Sequence, residues 1–128
     1  MFECGIVFVR GKDLPERLLS VHRGIERLVR RHRPRHVVLE SPFVGKNAAS
    51  ALVLTSARAV CMLAAAAARA EVYDYAPSEI KKSVTPSGLA RKSDVQRSVQ
   101  LLLGLREPPP EDAADAIAAA LCHLHRIC

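Results

Sequence analysis

The chain lacks the sequence marks of several protein classes. Its four cysteines, Cys4, Cys61, Cys122 and Cys128, form no C-x-x-C pair. Neither a zinc ribbon nor a disulfide framework is therefore indicated, and reduced thiols in the cytoplasm fit best. No window reaches the ~18 consecutive apolar residues of a membrane span. The longest apolar stretch, Ala59 to Ala68, is short and Ala-rich. No basic-then-apolar leader opens the chain. No internal repeat and no shift of composition marks a domain boundary, so the 128 residues are expected to form one domain.

Charge and hydrophobicity are what the chain does have. Lys and Arg number 19 against 13 Asp and Glu, a formal net charge of +6, with a pI near 9.6. An excess of this sign points to an anionic partner, nucleic acid first and a membrane surface second. The alternative is a merely soluble basic protein. About half of the residues are hydrophobic, 49%, which excludes general disorder.

The organising stretch is Val37-Val38-Leu39-Glu40-Ser41-Pro42-Phe43. An apolar run stopped by a proline reads as a buried strand, His36 to Glu40, with Glu40 at its C-terminal end. Open α/β sheets place their chemistry at that end. Before it, Phe2 to Val9 is β-branched and aromatic and predicts a strand. Asp13 is an expected N-cap, with Glu16 completing an acidic capping box. Leu14, Leu18, Val21, Ile25, Leu28 and Val29 keep helical spacing, predicting an amphipathic helix from 14 to about 32 that Pro34 ends.

After the central strand, Asn47 is an expected cap for a long helix over 48–70. Arg58 and Arg69 are its only charges. It is apolar on most sides, so it is expected to be largely buried or in an interface, and it is the candidate dimer surface. Glu71 to Ala76 alternates and predicts another strand. A short helix from Pro77 through Val84 follows. Ser93 is expected to cap a helix through Leu103, with Val95, Val99, Leu102 and Leu103 inward. Pro108-Pro109-Pro110 is a stiff connector, and a last helix runs from about Glu111 to Arg126. The order is α/β, with His36–Glu40 and Glu71–Ala76 parallel across a helical crossover.

Three carboxylates stand out. Asp112 and Asp115 are helical neighbours at i and i+3, and Glu40 comes from a distant strand. Phosphodiester cleavage with divalent cations needs several carboxylates held close, because hard cations take oxygen ligands and the acids repel one another without them. Acids in a first helical turn also simply complement the helix dipole. A carboxylate closing a buried strand is harder to explain without a partner or a metal. Lys81, Lys82, Arg91 and Lys92 lie near helix starts and are phosphate candidates or solvated lysines and arginines. Phe43 is a stacking candidate or a cover for the sheet edge. Cys122, His123, His125 and Cys128 match no zinc spacing.

Taken together, these segments resemble the RuvC family of bacterial Holliday-junction resolvases. The matching runs are Asp13-Leu14-Pro15-Glu16-Arg17-Leu18, Leu39-Glu40-Ser41-Pro42-Phe43-Val44-Gly45-Lys46-Asn47, Tyr75-Ala76-Pro77-Ser78-Glu79-Ile80-Lys81, Lys92-Ser93-Asp94-Val95-Gln96 and Asp112-Ala113-Ala114-Asp115-Ala116. The resemblance implies a ribonuclease-H-like fold, a homodimer, a branch-migration helicase partner, and paired nicking of four-way junction DNA with Mg²⁺, for which Mn²⁺ can substitute. It assigns Glu40, Asp112 and Asp115 as catalytic metal-binding acids. It assigns Phe43, Lys46, Lys81 and Lys92 to DNA. The family opens with a strand carrying Gly-Ile-Asp-Pro-Gly, whose Asp is its first metal ligand, and then a second strand; this sequence shows neither. The expectation is thus a single RuvC-like domain over 1–128, incomplete at the N-terminus, with three strands and flanking helices. The alternative is an inactive DNA-binding module or a truncated remnant.

Overall fold

A computed structural model describes residues 3–41, 45 and 47–128. Phe43 and Lys46 lie outside the described residues. The elements run α1 (Leu14–His32), β1 (His36–Glu40), α2 (Ala48–Ala67), β2 (Glu71–Tyr75), α3 (Pro77–Val84), α4 (Lys92–Leu103) and α5 (Glu111–Ile127). β1 and β2 pair in a two-stranded sheet. Glu71 N donates to Arg35 O at 2.8 Å, and Ser41 N donates to Tyr75 O at 2.9 Å. Both strands advance together between those bonds, so the pairing is parallel, as a helical crossover demands.

The expected strand over 2–9 is not formed. Among the described residues 3–12 no strand is present. β-rich composition favours extended chain, but a strand exists only through ladder bonds to a neighbour. The backbone N–H of Arg10 is satisfied instead by Ser20 Oγ at 3.0 Å.

The chain divides into two compact units. One comprises residues 7–37 and 42–73 and contains α1 and α2, which pack on each other. Asp13 caps α1 by accepting from Glu16 N at 2.9 Å. Glu16 reaches back one residue further than a capping box requires, accepting from Lys12 N at 2.8 Å. Arg33, left-handed at φ 45°, ends α1 just before Pro34. Gly24 is buried, and a Cβ there would collide with Val7 Cγ1. Glycine is what lets the chain at Val7 approach the helix this closely.

α2 ends earlier than expected. Arg69 turns left-handed at φ 60°, and Ala70 N and Arg69 N donate to Ala65 O and Ala66 O at 3.0 and 2.9 Å. These are the two bonds of a Schellman motif. α2 is also not largely buried. Only Ala64 and Ala65 are buried along it, while Leu52, Leu54 and Leu63 are 67%, 55% and 64% exposed. A helix apolar on most sides has more apolar surface than one neighbouring helix can cover. By length and composition α2 is also apolar enough to cross a membrane.

The other unit comprises residues 1–6, 38–41 and 74–128. Its centre is α5, which packs on both α3 and α4. Ala113, Ala114, Ile117, Ala118, Ala119 and Cys122 form α5's buried face. They meet Ile80 and Val84 of α3 and Val95 and Val99 of α4 in one core. Small side chains let the helices approach closely. Two expectations for α4 fail. Arg91 is the N-cap position rather than Ser93, with Asp94 Oδ2 accepting from Arg91 N at 2.9 Å. Leu102 is exposed, and only Val95 and Val99 are buried on that helix.

Candidate active site

The site is built where β1 ends. The Ser41 N to Tyr75 O bond closes the ladder beside Glu40. Ser41 Oγ also donates to Asp74 Oδ2 at 3.4 Å, a long bond. Glu40 lies solvent-accessible at the strand tip, which leaves its carboxylate free to meet a ligand.

α5 supplies the second carboxylate. Three prolines deliver the chain to the helix start, and Ala114 N donates to Pro110 O at 2.8 Å. Gln96 Nε2 of α4 ties the connector down by donating to Pro109 O at 3.0 Å. Ala113 and Ala114 point into the core. That orientation leaves Asp112 exposed and Asp115 half-buried. Within the pattern acid-Ala-Ala-acid, the alanines are buried and the acids face outward beside them.

Electrostatics show which groups meet. Burial pushes the Glu40 carboxyl above its ordinary value, and the charge of Asp115 pushes it further; Lys81 and Lys92 oppose the rise. Asp115 is pushed up as well, first by burial and then by Glu111 and Asp112, against Lys92 and Lys81. Glu40, Asp115, Lys81 and Lys92 therefore lie within electrostatic reach of one another, and Asp112 acts on Asp115. Lys92 is paired with Glu111. That hydrogen bond, followed by the charges of Glu111, Asp115 and Asp112, raises its pKa. Glu111 was not singled out in the sequence. Its signal was only position, one residue before Asp112.

Among the described residues, no three His, Cys, Asp or Glu side chains gather closely enough to enclose a metal ion. The donor chemistry nevertheless suits a hard divalent cation. Two partly desolvated carboxylates held near each other are relieved by a cation between them. Mg²⁺ keeps several waters and is commonly held by only one or two carboxylates together with substrate phosphates. Of the Cys/His tail, Cys122 and His123 belong to the core, while His125 and Cys128 are exposed. Cys122 is buried with its thiol 3.9 Å from Glu79 O, and buried His123 bonds Tyr75.

The sequence matches the model of the family described as crossover junction endodeoxyribonuclease RuvC over residues 1–123. The chain belongs to the RuvC family. RuvC of Protochlamydia amoebophila is 49% identical over 111 residues, covering 86% of this chain and 66% of that protein. RuvC of Halorhodospira halophila is 47% identical over 116 residues, covering 91% of this chain and 70% of its own. The chain thus spans about two thirds of the length of such curated relatives. Among solved structures, Thermus thermophilus RuvC superposes with a TM-score of 0.80 at 32% identity, covering 91% of this chain and 72% of that one. The same protein in complex with Holliday junction substrate gives 0.80 at 30% identity, with 91% and 73% covered. At that likeness the fold is the α/β, ribonuclease-H-like fold of RuvC.

Proposed function

We propose that this chain is the nuclease domain of a RuvC-type resolvase, which binds four-way junction DNA and nicks it by metal-assisted phosphodiester hydrolysis. One observation carries the reading. Glu40 and Asp115, from β1 and α5, share a site in which both carboxyls are pushed up, with Lys81 and Lys92 acting on each. Carboxylates disfavoured in their charged form and flanked by lysines suit a site that takes a cation and a phosphate together. Residues 1–128 count as one domain in this reading.

Glu40, Asp115 and Asp112 would hold Mg²⁺, or Mn²⁺ in its place. When bound, such a cation activates water and stabilises the leaving oxygen. The chain's own residues do the rest. Lys81 and Lys92 bind the phosphate and offset the charge of the acids. Glu111 holds Lys92 at the helix start, so that its ammonium is placed before substrate arrives. Phe43 and Lys46 join the DNA surface by resemblance. The exposed apolar side of α2, Leu52, Leu54 and Leu63, supports a homodimer. A branch-migration helicase partner and a cytoplasmic location complete the reading.

A second reading has its own support: no three acids enclose one point among the described residues. On that reading the chain binds junctions without cutting them. Mg²⁺-dependent nicking of a synthetic four-way junction separates the two. Nicks supply the first reading; junction binding that persists without nicks supplies the second.

A further inference from the structure

Tyr75 holds on to two elements at once. Its carbonyl accepts from Ser41 N at 2.9 Å, the residue after Glu40. The residue is only 7% exposed and belongs to the core. There its hydroxyl meets His123 Nδ1 at 2.7 Å, and the Arg126 guanidinium lies 4.6 Å from the ring centroid. His123 and Arg126 belong to α5, whose first turns carry Asp112 and Asp115. Arg126 also pairs with Glu79 at 2.7 Å, and Glu79 Oε2 accepts from Ala76 N at 2.8 Å, capping α3. One residue therefore ties the end of β1, through its main chain, to α5, through its side chain.

We propose that Tyr75, held by His123, is a positioning residue that fixes the separation of Glu40 and Asp115 and so sets how firmly that pair grips a divalent cation. The inference rests on reading Glu40 and Asp115 as metal-binding acids. Hard cations demand oxygen ligands at about 2.0–2.6 Å, so small displacements of one carboxylate are costly. His123 is 3% exposed, and buried polar groups hold their partners because losing one leaves the other unsatisfied. Removing the phenol oxygen breaks the bond to His123 without removing any ligand. Loss of outer partners of metal ligands typically weakens binding by about 10- to 100-fold, and a link through one backbone bond should act less, about 3- to 10-fold.

The test is Mn²⁺ binding by the 128-residue chain without DNA, followed by the electron-spin signal of free Mn²⁺, with unfolding midpoints measured alongside. Glu40→Gln should remove the site. Tyr75→Phe and His123→Ala should each weaken it about 3- to 10-fold, while His123→Asn, which can still bond the phenol, stays within about twofold of the parent. Val29→Ala, a buried residue of α1, should lose stability without losing Mn²⁺ affinity. If Tyr75→Phe binds Mn²⁺ as the parent does while Glu40→Gln does not, the positioning role is wrong and the metal site stands. If Val29→Ala weakens binding as much as Tyr75→Phe, the effect is general loosening and the positioning role is again wrong. If the parent binds no better than Glu40→Gln, the metal-site reading fails and takes the inference with it.

Discussion

Glu40 and Asp115 carry charge where the fold disfavours it. Both acids have folded pKa values raised above their unfolded ones. The folded chain therefore binds more protons than the unfolded chain between those values. Stability must fall as pH rises through that window, and the full cost of the charged pair is present above it. Replacing one charge should lift this cost. Glu40→Gln is expected to stabilise the cation-free chain at neutral pH, with the gain vanishing as pH falls below the ordinary carboxylate range. Urea unfolding at a series of pH values reads it, and a gain independent of pH would contradict the account. Gly24 poses a different contest. Gly to Ala inside a helix normally gains up to about 1 kcal/mol, but the new Cβ would strike Val7, and such overpacking costs about 1–3 kcal/mol. We expect net destabilisation of Gly24→Ala by denaturant melting; a stabilised variant would show that the 3–12 segment yields freely.

Elements were legible in the sequence where local chemistry decided them. Pro34, Pro77 and the Pro108–Pro110 run punctuate the chain, and Asp13 and Asn47 cap α1 and α2 as their types dictate. Acid spacing placed Asp112 and Asp115 on one turn of α5. Tertiary choices were not legible. Phe2–Val9 has strand composition, yet a strand needs a partner that composition does not supply. α2 reads as buried or in an interface, and the pattern alone does not choose between them; its neighbour α1 covers one stripe and leaves Leu52, Leu54 and Leu63 exposed. Tyr75, His123 and Arg126 are 48 or more positions apart from strand to helix, so no local pattern joins them. The exposed stripe of α2 carries a prediction at this scale. If α2 forms the proposed homodimer surface, Leu54→Asp should shift the chain from dimer toward monomer in sedimentation analysis with helix content retained. An unchanged mass distribution would remove α2 from the interface.

For the whole molecule, charge governs how DNA arrives. With a net charge of +6, junction affinity should fall steeply with added salt, each phosphate contact adding roughly 0.9 to the log–log slope. Lys81→Ala should weaken binding across junction sequences alike and lower that slope by about 1. A slope unchanged by the substitution would place Lys81 away from the phosphates. The most direct test of the whole account is Mg²⁺-dependent nicking of a synthetic four-way junction by the 128-residue chain, beside Glu40→Gln. The account predicts paired nicks from the parent and none from Glu40→Gln, with junction binding kept by both. Nicking by Glu40→Gln at the parent's rate, or junction binding without nicks by the parent, would contradict it.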